Sequence, residues 1–274
     1  MILDAEYPND ARISNECESL IKAGHEIFLF CLSYNKSFIR QEIINQINVR
    51  RYFCSKISYK LSALANDLSL YSNIMFSKIH DFALINDVEV LHIHDIQIAD
   101  ASLKVARKLQ IKTVLDLHEN RPEIMKDYKH VNSFLGKLLI SSKRWKKAEE
   151  KFVNQSDKVV VVTKEAKKEI LTRCDKKNNE IIVYPNTVRQ SFYKNKIINQ
   201  EIKKTYSNDF IMLYIGNTSK RRGLDTVLDS MNRIKKSVNN IKLIILGKSS
   251  YDNELKKKIN KLKLDSIVDF IGWV

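Results

Sequence analysis

Two periodicities take turns along almost the whole chain. Short runs of Val, Ile, Leu and Phe read as strands: "MILDA", "HEIFLFCL", "VEVLHIH", "KTVLDLH", "DKVVVVT" and "EIIVYP", then "FIMLYIG", "IKLIILG" and "IVDFIG". Between them, apolar residues recurring every three or four positions predict helices over 12–22, 59–84, 99–109, 133–154, 164–172, 224–236 and 253–262. Residues 36–56 read as irregular. Residues 189–208, "RQSFYKNKIINQEIKKTYSN", are polar and carry no persuasive period.

Strands alternating with helices imply parallel sheets covered by helices on both faces, and near-continuous apolar strands fit that burial. The fold class is α/β, with two Rossmann-like, doubly wound parallel-sheet domains over 1–188 and 209–274, joined by a connector at 189–208. The second domain has only three strands and reads as incomplete. The terminal "DSIVDFIGWV" closes on a strand and a glycine turn that should launch a further element, and "MILDA" opens inside a strand. Both ends therefore read as trimmed.

Composition narrows the class. Apolar residues make up 44%, enough for a substantial core. The longest apolar runs are strand-sized, well short of the roughly 18 residues of a membrane span. "MILDAEYPND" has neither a basic n-region nor a cleavage site of a signal peptide. The four cysteines, at 17, 31, 54 and 174, show no CxxC spacing and read as reduced thiols of a cytoplasmic protein.

A formal charge of +15 suits nucleic acid, an anionic membrane surface or a phosphorylated ligand, and equally a solvated lysine-rich surface. No RRM, KH or helix-turn-helix pattern is present, so nucleic acid is set aside. Along 133–152, Phe134, Leu135, Leu138, Leu139, Trp145 and Phe152 share a helical face. Lys137, Lys143, Arg144, Lys146, Lys147 and Lys151 fall mostly off it. Such a helix either lies on an anionic membrane or packs on the sheet.

In open α/β sheets, ligands bind beyond the carboxyl ends of the strands. Those ends carry "EYPND" (6–10), "HIHD" (92–95), "DLHENRPE" (116–123), "YPN" (184–186), "GNTSKRRG" (216–223) and "GKSS" (247–250), with all three prolines among them. His92, His94, Asp95, His118 and Glu119 could be taken for a metal cluster. The remaining histidines fall in or near predicted helices and no HExxH is present, so no metal is expected. "YIGNTSKRRGLDTVL" runs from a strand through a glycine, a cationic loop and a second glycine into a helix. Free amides at a helix start, with Arg and Lys beside them, suit a diphosphate. The loop is neither a P-loop nor GxGxxG.

In this order and spacing, the chain resembles the GT-B glycosyltransferases of the family 4 type. "NDARISNECESLIKAGHEI" resembles their opening helix, "VLHIHDIQIADASLKVARKL" their "vHaHd" segment, and "TVLDLHENRPE" the strand ending in their active-site histidine. "SDKVVVVTKEAKKEI", "VYPNTV", "MLYIGNTSKRRGLDTVLDSM" and "KLIILGKS" are similar to their later motifs. The resemblance implies transfer of a sugar from a nucleotide-sugar donor, normally with retention and with no metal or other cofactor. It implies a glycan or lipid-linked acceptor in cell-surface polysaccharide assembly, at the inner face of the cell membrane.

Residue by residue, the resemblance makes His118 the catalytic-face histidine that contacts the donor sugar, with Glu119 its neighbour. It places Gly216, Asn217, Arg221, Arg222, Gly223 and Gly247 at the donor, Arg222 falling on the family's diphosphate lysine. It leaves Asp10, Arg12, His94, Asp95 and Asn186 lining the cleft. Asn217 stands where the family often has arginine, which leaves Arg221 and Arg222 as the phosphate cations. The first loop lacks the family's Gly-Gly pair. The E-x7-E motif would lie beyond Val274. Two other readings are a non-catalytic remnant that binds a partner or membrane, and a GT-B-shaped sugar-nucleotide epimerase, which the "KRRGLD" loop matches less well.

Overall fold

The computed structural model describes residues 1–55, 58–59, 70–125, 141–194 and 198–273. The chain divides into two compact units, Met1–Arg189 and Gln190–Val274.

In the first unit, eight strands form one sheet in the order β3-β4-β2-β1-β5-β6-β7-β8. These are β1 (Ile2–Leu3), β2 (Phe28–Ser33), β3 (Gln41–Ile44), β4 (Ile47–Phe53), β5 (Val90–His94), β6 (Lys112–Leu117), β7 (Lys158–Val161) and β8 (Ile181–Val183). Every neighbouring pair is parallel except the edge pair β3 and β4. That pair corrects the expectation of irregular chain over 36–56. Ile44 pairs with Ile47 across a two-residue turn in which Asn45 and Gln46 have φ of 49° and 66°. Such a turn normally announces itself with glycine, and Gln46 concealed it.

Helices cover both faces of this sheet. On one face α1 (Ala11–Lys22) packs Ile13 and Cys17 against Leu29 and Cys31 of β2. On the other, Tyr71, Met75 and Phe82 of the helix Leu70–Ile85 join Val105 of Ala99–Leu109 and Trp145 and Phe152 of Ser142–Gln155. Trp145 and Phe152 are 1% and 2% exposed. Burying an aromatic of this kind stabilises by about 1.5–3 kcal/mol, so these two side chains belong to the core and cannot enter a bilayer. Phe134, Leu135, Leu138 and Leu139 lie outside the described residues.

The second unit holds β9 (Phe210–Ile215), β10 (Ile241–Leu246) and β11 (Val268–Gly272), all parallel, in the order β11-β10-β9. Helices Leu224–Ile234 and Asp252–Lys261 bury Leu228, Met231, Leu255 and Ile259 against Leu243, Ile245 and Val268. Ile211, Leu213, Ile215 and Ile271 stay exposed, so among the described residues this sheet is covered on one face only. The polar connector forms two short helices, Gln190–Lys194 and Gln200–Thr205. Asn199 caps the second by accepting from the amides of Glu201 and Ile202.

Candidate active site

The sheet's carboxyl edge in the first unit gathers charge beneath α1. Asp10 starts that helix by accepting from the amides of Arg12 and Ile13 at 2.9 and 3.2 Å, a capping arrangement. Arg12 and Glu16, four apart, then share one face of the helix. Parallel pairing sets His94 of β5 opposite Asp116 of β6. Alternation along each strand puts His92 with His94, and Asp116 with His118, on a common face.

Asp116 is the hub. Its carboxylate accepts from Arg12 twice, at 2.9 Å from Nε and 2.8 Å from an Nη. His118 Nε2 lies 3.3 Å and His94 Nδ1 3.4 Å from the same carboxylate, and the two ring nitrogens are 3.1 Å apart. Arg12 also donates to the Tyr184 carbonyl at 2.9 Å and to Asn186 Oδ1 at 3.0 Å, and lies over the Tyr184 ring. Arg12 Nε is 3.0 Å from Glu16 Oε1. Its hydrogen is directed at Asp116, however, and the Glu16 oxygens receive no hydrogen bond among the described residues. Beside this network opens a cleft of about 390 Å³ lined by Asn9, Asp10, Arg12, Asn15, Tyr184 and Asn186.

Electrostatics follow from burial and from these partners. Burial alone would raise the Asp116 pKa, yet hydrogen bonds from His118, His94 and Arg12 hold it far below the usual carboxylate range. Glu16 is pushed up to about 8, first by burial and then by the Asp116 charge. Near neutrality it therefore carries a proton. Burial, with His94 as a neighbour, holds His92 well below an ordinary histidine, and burial likewise lowers His94 despite Asp116. His118 goes the other way. Burial disfavours its cation, but the hydrogen bond to Asp116 and the charges of Asp95 and Asp116 prevail and raise it.

The residues expected here divide accordingly. Asp10, Arg12 and Asn186 line the cleft, and His118 stands beside it, joined to Arg12 through Asp116. His94 does not line the cleft, because its side chain is fully buried beneath the others. Asp95 and Glu119 pair with Arg121 at 2.9 and 3.1 Å, next to the network. Glu16 and Asp116 were missed. An aspartate inside the apolar run "TVLDLH", two before a histidine, was the available signal. Charge in a buried strand demands a partner.

Glu16, His92, His94 and Asp116 could each offer one ligand atom, all within 4.8 Å of one another, and their donor types suit a divalent transition metal. The Arg12 guanidinium stands within 3.0 Å of both carboxylates. It already supplies the cation that the two carboxylates would share, and a divalent ion would have to sit beside it. The cluster fits charge and proton sharing better than metal binding.

In the second unit, β9 ends at Ile215, and the loop through Gly216 and Asn217 leads to a short turn, Lys220–Arg222, and to Gly223 before the helix Leu224–Ile234. Gly223 has φ of 73°, a left-handed value that favours glycine, and no side chain caps the helix behind it. Gly247 packs so closely that a Cβ there would meet the Gly216 carbonyl oxygen at 1.8 Å. The loop is braced from within. Asn217 Oδ1 accepts from the Ser219 amide at 2.9 Å, the Asn217 carbonyl accepts from Tyr214 at 2.6 Å, and Thr218 bonds Asp252. Arg221 and Arg222 are exposed and form no ion pair among the described residues. Uncapped amides beside two guanidinia without ion pairs among the described residues are groups that could receive an anion.

Known proteins place the chain in a family. The sequence profile of Glycosyltransferase Family 4 matches residues 12–192, and that of Glycosyl transferases group 1 matches residues 195–274. The chain belongs to glycosyltransferase family 4, with the GT-B class of fold. It is 30% identical over 125 residues, 44% of its length, to an uncharacterized glycosyltransferase of Methanocaldococcus jannaschii, spanning 30% of that protein. It is 23% identical over 201 residues, 68% of its length, to the alpha-monoglucosyldiacylglycerol synthase of Acholeplasma laidlawii, spanning 48% of that protein. Among solved structures, Anabaena HepE in complex with UDP superposes with a TM-score of 0.66 at 13% identity. That match covers 100% of this chain and 68% of HepE. The chain thus spans less than half the length of either curated relative.

Proposed function

We propose that the protein transfers a sugar from a nucleotide-sugar donor to a glycan or lipid-linked acceptor in cell-surface polysaccharide assembly. In this reading His118 presents its Nδ1 proton to the donor sugar or its phosphate. The second unit meets the diphosphate with Arg221, Arg222 and the uncapped amides before Leu224. Charge leaving with the diphosphate is met by preorganised donors, which is where such a site gains most of its rate. In this reading transfer uses no metal or other cofactor.

The observation that carries the proposal is His118, raised in pKa by Asp116 and Asp95 and with Nδ1 free of hydrogen bonds among the described residues. HepE has been solved with UDP and with UDP-glucose, which favours a uridine nucleotide as the first donor to try. The name of the Acholeplasma relative favours a lipid acceptor. A panel of nucleotide sugars, offered with lipid extracts and oligosaccharides, tests the reading. Acceptor-dependent release of nucleoside diphosphate from at least one donor is expected, and release from none contradicts it.

A further inference from the structure

We propose that Asp116 is the positioning residue of this site: clamped by Arg12, it holds the His118 ring through Nε2 and turns Nδ1 toward the ligand. The inference rests on the reading above that His118 acts in transfer. It assigns a task to a carboxylate that no substrate can touch, since the Asp116 side chain is 0% exposed while that of His118 is 18% exposed.

The geometry leaves Asp116 little freedom. Two parallel bonds from Arg12, at 2.8 and 2.9 Å, fix the plane of its carboxylate, and a fork of this kind has one good orientation. Arg12 is held in turn by the Tyr184 carbonyl and Asn186 Oδ1, at the end of β8. The groups facing His118 act together. From its own strand comes Asp116, and from β5 and its exit come His92, His94 and Asp95. Arg12 and Glu16 reach it from α1. With Arg12 paired to Asp116 and Glu16 protonated, Asp116 is the anion in contact with Nε2 at 3.3 Å, and the other neighbour of that nitrogen, His94 Nδ1 at 3.1 Å, can accept from it as well. The neutral ring therefore keeps its proton on Nε2, and a second proton enters at Nδ1, on the side that has no partner among the described residues. A ring turned over about its Cβ–Cγ bond would put a carbon, Cε1, where Nε2 now meets Asp116 and lose that contact.

Nitrogen-15 NMR of the imidazoles across pH tests this on the wild-type protein and on Asp116→Asn and Arg12→Lys. In the wild type, His118 should carry its neutral-form proton on Nε2 and titrate above the ordinary value of about 6.5. Asp116→Asn should weaken its proton affinity about tenfold or more, one pH unit, and lower kcat with KM kept within about twofold. Arg12→Lys keeps the charge without the fork and should give a smaller shift of the same sign, which serves should the Asn variant not fold. A wild-type His118 protonated on Nδ1 in its neutral form, or titrating at or below about 6.5, overturns the proposal. So does an Asn variant whose His118 titrates as before. An NMR result as expected, together with normal transfer by His118→Ala, upholds the clamp and removes His118 from the transfer step.

Discussion

The guanidinium of Arg12 grips the carboxylate of Asp116 with two bonds of 2.8 and 2.9 Å, across a sequence separation of 104 residues. Their side chains are 7% and 0% exposed. Removing one partner of a buried pair strands the other charge, at a cost of about 3–5 kcal/mol. Arg12→Ala should lose stability on that scale in urea titration. Arg12→Lys should lose less, because the charge survives while the fork does not. Equal stability of Arg12→Ala and wild type would mean the pair is not formed.

Glu16 predicts a pH dependence with a definite sign. Its folded pKa, about 8, lies above its ordinary value of 4.5, so the folded chain binds the proton more tightly than the unfolded one. Its contribution is complete below about pH 4.5 and is lost as pH rises toward 8, by at most about 1.4 kcal/mol per unit. Asp4, raised to about 7 mainly by burial, adds a slope of the same sign. The informative quantity is therefore the difference between wild type and Glu16→Gln. The variant should flatten the decline between about pH 5 and 8, measured as urea midpoint against pH. Parallel curves would contradict the assignment.

Arg222 should matter for the nucleotide and hardly for the fold, since it is exposed and unpaired among the described residues. By calorimetry, Arg222→Ala should weaken binding of a nucleoside diphosphate at least about tenfold, the worth of a charge-assisted hydrogen bond at roughly 1.5–3 kcal/mol. Thermal stability should stay unchanged. Undiminished affinity would remove Arg222 from the diphosphate site.

With Trp145 and Phe152 in the core, the helix Ser142–Gln155 can meet a membrane only through charge. Lys143, Arg144, Lys147 and Lys151 are exposed along Ser142–Gln155, and no helix among the described residues is long and apolar enough to cross a membrane. The protein should sediment with anionic but not with neutral vesicles, and salt should release it. Binding to both or to neither would exclude a charge-driven surface.

Apolar runs and helical spacing made the strands β5 to β11 legible, because each carries apolar side chains that pack under the helices. The hairpin of β3 and β4 was not legible, since its exposed edge needs no apolar alternation and its turn lacks glycine. At the site, His118 and Arg222 stood out as polar residues at strand ends. The hub, Asp116, did not: Arg12 lies 104 residues from it in sequence, and only the packing of α1 over the sheet and the pairing of β5 with β6 bring Arg12 and His94 to it. His94 looked like a cleft residue because strand ends usually open to solvent. The cover of α1 closes this one.

The most direct test of the account is sugar transfer by His118→Ala, measured on the protein as its gene encodes it. Initial rates should be compared with wild type, using the donor and acceptor that wild type accepts, with urea midpoints measured alongside. The account predicts an unchanged fold and a rate lowered at least about a hundredfold, as expected on losing a preorganised donor that acts in the transition state. A rate within about threefold of wild type, an effect under roughly 0.7 kcal/mol, would contradict it.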